Sequence, residues 1–225
     1  MRLVVISDTH CQQFPIPDGD ILIHCGDHTY RGTVPESEPA LQWLHEQPHK
    51  HKLIIAGNHE VGWEDDLSRN HYRPVPIERP HVVARFPNLI YLHDSGIEIE
   101  GLKFWGSPYQ PFFYNWAFQK QRGAELAEHW KKIPEDTDVL ITHGPPYGFG
   151  DTNKRGGRFG DEDLLRRVRE VKPTLHLFGH AHDGYGSWLS EGTLFVNAAI
   201  LNEGYVVANK PVELEIDIEK AGEQV

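Results

Sequence analysis

Five short apolar runs in this chain each end in residues of the kind that bind metals, and no other feature limits the fold as strongly. Leu3-Val4-Val5-Ile6 leads into Ser7-Asp8-Thr9-His10, Ile21-Leu22-Ile23 into His24-Cys25-Gly26-Asp27, and Leu53-Ile54-Ile55-Ala56 into Gly57-Asn58-His59-Glu60. Val139-Leu140-Ile141 leads into Thr142-His143-Gly144, and Leu175-His176-Leu177-Phe178 into Gly179-His180-Ala181-His182. Runs rich in Val, Ile and Leu, bounded by turn residues, read as buried strands of a mainly parallel sheet. In open α/β sheets the ligand crevice lies beyond the carboxyl ends of the strands. Asp8, His10, Asp27, Asn58, His59, His143, His180 and His182 are therefore expected to converge on one sheet edge. One such ending means little, whereas five in one chain point to a built site.

The segments between these runs supply the rest of an α/β fold. Helices are expected over Glu36–Gln47, ended by Pro48, over Gln119–Ile133, and over Asp161–Val171. In the last, Leu164, Leu165, Val168 and Val171 recur at helical spacing and Pro173 follows. Leu89–Leu92 reads as a strand, 96–101 with 102–105 as a hairpin, and 193–197, 204–208 and 212–218 as closing strands. The last of these alternates strictly, as a strand with one wet face does. Residues 62–88 carry much charge, Pro and His without a clean period, and read as an excursion with at most one helix. At 225 residues, with no linker or repeat, one domain spanning 1–225 is expected.

Composition narrows the partners. A formal charge of −11 repels the phosphate backbone of a long nucleic acid and leaves a small phosphate ester as the better substrate. No apolar stretch suits a membrane span, and no signal-peptide pattern follows Met1, so no membrane partner and a cytoplasmic protein are expected. The two cysteines, Cys11 and Cys25, read as small buried fillers of a reducing compartment. Oligomeric state is not legible.

The ligand set has its own chemistry. Asp8 and His10 lie two apart, as do His180 and His182, so an extended segment can aim each pair at one cation. Asp27 has two oxygens and can bridge two ions. Asn58 offers an amide oxygen and His143 an imidazole nitrogen. Seven ligands exceed one tetrahedral site, so two divalent ions are the natural count. The mixed imidazole and carboxylate set suits manganese first, with iron, zinc, cobalt or magnesium as alternatives.

Asp8-Thr9-His10, Gly26-Asp27, Gly57-Asn58-His59-Glu60, His143-Gly144 and Gly179-His180-Ala181-His182 match, in order, the five motifs of the calcineurin-like metallophosphoesterase superfamily. They span residues 8–182. His143-Gly144-Pro145-Pro146-Tyr147-Gly148 and Gly184-Tyr185-Gly186 look like the metallophosphoesterase-domain-containing branch. The resemblance implies an α/β fold of two packed mixed β-sheets flanked by helices, with a dinuclear centre at the strand ends. It implies one metal held by Asp8, His10, Asp27 and His182, and a second by Asp27, Asn58, His143 and His180. His59 then faces the substrate as general acid or charge stabiliser. The implied reaction is phosphodiester hydrolysis of small or nucleotide esters by a metal-bridging hydroxide. The alternatives are a phosphomonoesterase or protein Ser/Thr phosphatase, and a non-catalytic metal-binding protein.

Other residues are read more modestly. His24 and His176 fall within strands and are expected to be satisfied core histidines. His28 stands beside Asp27, either behind a ligand or on an exposed loop. Asn197 ends an apolar strand, where it can orient a ligand. Lys154-Arg155-Gly156-Gly157-Arg158 is a basic glycine loop, expected to be solvated, with phosphate binding as the alternative. The aromatic residues between Phe104 and Phe118 are expected in core and loop packing, with base stacking as the alternative.

Overall fold

The apolar runs are buried on both faces, which drives them into the interior of stacked sheets. The computed structural model describes residues 1–64 and 83–217. Its strands in chain order are β1 (Arg2–Ile6), β2 (Ile21–His24), β3 (His51–Ile54), β4 (Leu89–Tyr91), β5 (Ser95–Ile99), β6 (Leu102–Ser107) and β7 (Gln110–Pro111). They continue with β8 (Gln119–Lys120), β9 (Val139–Thr142), β10 (Leu175–Phe178), β11 (Gly186–Ser190), β12 (Thr193–Asn197) and β13 (Val212–Glu215). The helices are α1 (Val34–His45), α2 (Ala124–Trp130) and α3 (Glu162–Val171).

One sheet runs β13-β1-β2-β3-β4 and is parallel except at its β13 edge. The other runs β11-β12-β10-β9-β6-β5, parallel in the middle with antiparallel strands β11 and β5 at its edges. Alternation along each strand sorts the core into layers. Leu3, Val5, Ile21, Ile23 and Leu53 of the first sheet meet Phe104, Val139, Ile141, Leu177 and Val196 of the second. On the far side of the first sheet, Val4, Ile6 and Leu22 pack with Leu41 and Leu44 of α1. On the far side of the second, Leu140, Phe178 and Phe195 pack with Leu126 and Trp130 of α2 and with Leu164 and Val168 of α3. The two packed mixed sheets flanked by helices are thus the expected architecture. A parallel bridge between Ser7 and Ala199 joins the sheets where β1 ends. That bridge brings the motif loops of both sheets to one edge.

Several element bounds differ from the sequence reading. Helix α1 starts at Val34, because Glu36 accepts from the N–H groups of Arg31 and Thr33 and Pro35 stands in its first turn. The helix read over Gln119–Ile133 shrinks to Ala124–Trp130. Gln119 and Lys120 pair with Gln110 and Pro111, and Gly123 at φ +86° breaks the helix before it starts. Residues 204–208 form no strand. Asn202 caps a turn there by accepting from the N–H groups of Gly204 and Val206, and only an isolated bridge from Leu201 to Val207 remains. Most of the stretch 62–88, and Ile218 of the last strand, lie outside the described residues. Among the described residues no helix is long and apolar enough to cross a membrane.

Candidate metal centre

Three of the five motifs leave their strands through a turn that an ordinary residue resists. Asp8, Asp27 and His180 sit at φ of 55°, 56° and 65°, in the left-handed region. Aspartate tolerates that region better than most side chains, and strain of this kind gathers at functional sites. The glycines are required sterically, since a Cβ on Gly57 would collide with the Asp27 carboxylate, and one on Gly179 with that of Asp8. The backbone comes this close because the acidic side chains are packed beneath it. His180 N–H donates to both Asp8 oxygens, at 3.1 and 2.9 Å.

The expected residues come together. Asp8, His10 and His182 bring ligand atoms within 4.8 Å of one another, as do Asp27, His143 and His180, and a third such group joins His10, Asp27 and His59. His182 Nε2 is 3.3 Å from Asp8 Oδ1, and His143 Nε2 is 3.3 Å from Asp27 Oδ2. His10 Nε2 and His59 Nε2 each lie 4.0 Å from that same Asp27 oxygen. Asn58 Oδ1 is 3.0 Å from His143 Nε2. Asp27 therefore stands between the two sets of ligands.

The surroundings fit divalent ions. His10, His143 and His182 each place Nδ1 against a main-chain carbonyl, of Thr29 at 3.0 Å, Cys25 at 2.9 Å and Asn202 at 3.0 Å. Nδ1 then carries the proton and Nε2 offers its lone pair to the cleft, the tautomer a metal ligand needs. His10 Nε2 and His182 Nε2 face each other at 3.4 Å, an arrangement that either a proton on His182 or a cation between them satisfies. Burial lowers the affinity of His143 for a proton, but the Asp27 carboxylate outweighs it and raises the imidazole to about 9. Burial and then Asp8 act in the same way on His182, also raised to about 9. His180 goes the other way: burial and the nearby His143 bring it down to about 3. Two buried carboxylates thus create a strongly negative site that draws cations.

A cleft of about 440 Å³ opens over this floor. Asp27, Asn58, His59, His180 and His182 line its base, and Phe113, Tyr114, Trp116, Phe159, Glu203 and Tyr205 its walls. The aromatic stretch is thus divided. Phe104 and Phe118 are core, as expected, whereas Phe113, Tyr114 and Trp116 form one wall of the cleft. The Lys154–Arg158 loop is outside the lining. Lys154 Nζ is 3.1 Å from Asp183, and Arg158 donates to Asp151 at 2.7 Å, so two of the loop's three cations are met by neighbouring carboxylates.

His24 and His176 are core histidines bonded to Thr9 and Thr142, both at 2.9 Å. His28 is buried behind the site, 3.7 Å from Glu60. Asn197 donates to the carbonyls of Gly150, Gly179 and Ala181, and so holds the loop that carries His180. Sequence reasoning missed the role of Glu60, although the residue lies inside a motif. Its carboxylate accepts from the N–H groups of Asp27, Thr29 and Gly57 and from the Thr29 hydroxyl, at 2.7–2.9 Å. It also missed Tyr205, which packs edge-on against His10 with centroids 4.9 Å apart.

Comparison with known proteins agrees with this geometry. Residues 1–184 match the family model described as calcineurin-like phosphoesterase. The chain is 40% identical to human metallophosphoesterase domain-containing protein 1 over 230 residues, covering 96% of this chain and 71% of that protein. It is 38% identical to a UPF0046 protein of Caenorhabditis elegans, covering 94% and 74%. Among solved structures, the TT1561 protein of Thermus thermophilus superimposes with a TM-score of 0.59 at 14% identity, covering 87% of this chain and 88% of that one. That last likeness is one of fold.

Proposed function

The chain belongs to the calcineurin-like phosphoesterase family and is a metal-dependent hydrolase of phosphate esters; on that premise we propose that it is a two-metal phosphodiesterase of small or nucleotide diesters. Asp8, His10, Asp27 and His182 would hold one divalent ion, and Asp27, Asn58, His143 and His180 the other, manganese being our first choice. Once bound, the ions would supply Lewis acidity and a nucleophile active near neutral pH. The position of Asp27 between the two ligand groups carries this reading.

The protein's own groups do the rest. The carbonyls of Thr29, Cys25 and Asn202 keep three imidazoles in the tautomer that presents Nε2. Asn58 lends a neutral oxygen, so the second ligand group carries no further negative charge. His59 donates its Nδ1 proton to the Tyr30 carbonyl at 2.9 Å, which leaves Nε2 towards the cleft as the atom that hands a proton to the departing alkoxide. Such a transfer is typically worth about 10²–10⁴ in rate. Tyr114, Trp116 and Tyr205 set aromatic rings around the base of the cleft. Cys11 and Cys25 are both free thiols, which supports a cytoplasmic setting.

Metal analysis tests the proposal. The protein saturated with Mn²⁺ should carry two ions per chain, and Asp27→Ala should weaken both sites. One ion per chain, unchanged in Asp27→Ala, would overturn it. His59→Ala should keep both ions and lose turnover; if it loses an ion instead, His59 joins the ligands.

A further inference from the structure

Two wall residues set a ring against the proposed proton donor: Tyr205 stands edge-on at 6.3 Å between centroids, and Trp116 stacks on it far closer. Its indole lies on the His59 imidazole, centroids 4.2 Å apart and planes inclined by 29°. The guanidinium carbon of Arg31 stands 4.5 Å from the centroid of the same indole, so the tryptophan packs against a cation as well as an imidazole. Trp116 is half-buried, while its neighbours Phe113 and Tyr114 are exposed.

The loop that carries Trp116 is bonded to the loop that carries His59. Ala117 N–H donates to the Asn58 carbonyl at 3.1 Å, and the Gln110 side chain donates to the Ala117 carbonyl at 2.8 Å. Gln119 closes the same loop from the other end, accepting from Phe113 N–H at 3.1 Å and donating to the Phe113 carbonyl at 2.8 Å. On the histidine, the main-chain N–H is held by Asp27 Oδ1 at 2.8 Å and Nδ1 by Tyr30. Those bonds fix one edge of the imidazole. A ring pinned along one edge can still swing, and a proton donor works only when its N–H points at the leaving oxygen. A flat indole 4.2 Å away opposes that swing.

We infer that Trp116 is a positioning residue for His59: it sets the plane of the imidazole and so the direction of Nε2–H. The inference rests on the reading of His59 as proton donor. It also gives the tryptophan a role separate from substrate stacking, since at least one of its surfaces is taken by His59.

Two kinds of measurement test it. The first uses Mn²⁺-loaded protein and two methyl phosphodiesters, one of nitrophenol, which leaves without a proton, and one of phenol, which does not. Trp116→Leu should lower kcat about tenfold on the phenyl ester and less than about threefold on the nitrophenyl ester, with KM within about twofold and metal content unchanged. Trp116→Phe, which keeps a flat ring, should recover most of the loss. In a His59→Ala background, Trp116→Leu should change kcat less than about twofold, because a residue acting through another adds nothing once that other is gone. The second measurement needs no turnover. In metal-free protein the ring protons of His59, assigned from the His59→Ala spectrum, should lie upfield under the indole and move downfield in Trp116→Leu.

A KM rise at constant kcat would overturn the inference and make Trp116 a substrate contact. Equal losses on both esters, persisting in the His59→Ala background, would make it a general structural residue. If His59→Ala itself shows no leaving-group dependence, the proton-donor reading fails separately. The NMR shift then still decides whether the indole stacks on the ring, the contact the orientation depends on, and an unmoved His59 resonance would reject that. Should Trp116→Leu fail to fold, Trp116→Met and Trp116→Val, which also lack a flat ring, carry the same comparison.

Discussion

Glu60 is completely buried, yet no ligand group contains it. Its two carboxylate oxygens collect four hydrogen bonds from the loops after β2 and β3, which deliver Asp27 and Asn58. A glutamine in its place keeps one acceptor oxygen and turns an NH₂ group toward N–H donors. Glu60→Gln should therefore cost about 2–3 kcal/mol of stability, the scale of unmet buried bonds to a charged group. It should also loosen metal retention, because Asp27 loses its backbone anchor. Urea unfolding of metal-free protein and metal content after dialysis read the two effects. A stability change under about 0.5 kcal/mol would show that the loops hold without Glu60. The contrast with the ligands says what a sequence reveals at this scale. Asp8, His10 and the other candidates were legible because each side chain has metal-binding chemistry and follows a strand. The carbonyls of Thr29, Cys25 and Asn202 were not, because every residue has a carbonyl and only the fold selects these three. Tyr205 was lost for a related reason: it lies in a turn that the sequence presents as a strand.

Elements were legible where local chemistry and packing agree. Helix α3 has an Asp161 cap that accepts from Leu164 N–H at 2.8 Å, apolar residues at helical spacing, and Pro173 beyond its end. The helix read over Gln119–Ile133 was overextended because Leu126, Ala127 and Trp130 do repeat at that spacing, while the pairing of β8 with β7 is a tertiary choice. The same part of the molecule holds a knot of polar groups that joins elements. Asp94, at the turn from β4 to β5, accepts from Ser107 Oγ of β6, from His129 Nδ1 of α2 and from Lys132 Nζ, each at 2.7 Å. Burial alone would raise this carboxyl. The bonds from His129, Lys132 and Ser107 outweigh burial and bring it down to about 2, below its ordinary 3.8. A carboxyl depressed by folding contributes stability above its unfolded value, and that contribution fades as pH falls through the folded one. Asp94→Asn should therefore cost on the order of 2 kcal/mol near neutral pH. The gap to the parent protein should narrow between about pH 4 and pH 2. Thermal melts across that window check this, and a gap that stays constant down to pH 2 would mean that the charge of Asp94 is not what the knot uses.

For the whole molecule, the two sheets gather every site loop at one edge, and the sequence showed this because five of the strands are short, mainly apolar and lead directly into a ligand. What it left open was the character of the cleft, since the wall residues come from the loop between β7 and β8, from Phe159 ahead of α3 and from the turn after β12. Those walls now bear on the choice between diester and monoester. Among the described residues lining the cleft there is no lysine or arginine, and Glu203 adds a carboxylate. Arg31 is turned to Trp116, and Lys154 and Arg158 are met by Asp183 and Asp151. A chain at −11 gives an incoming anion no help at long range. A monoester dianion would enter with twice the charge of a diester and find only the two ions and His59 to meet it. A diester has one charge to cover and two organic arms, one of which can lie against the aromatic wall of Phe113 and Tyr114. Matched nitrophenyl esters, assayed with Mn²⁺, should thus give a higher kcat/KM for the diester. Glu203→Gln should raise the monoester rate relative to the diester by a few-fold, because it removes a repulsion the dianion feels more strongly. A monoester preference of about tenfold or more in the parent protein, equivalent to about 1.4 kcal/mol in the transition state, would reverse the assignment to a phosphatase.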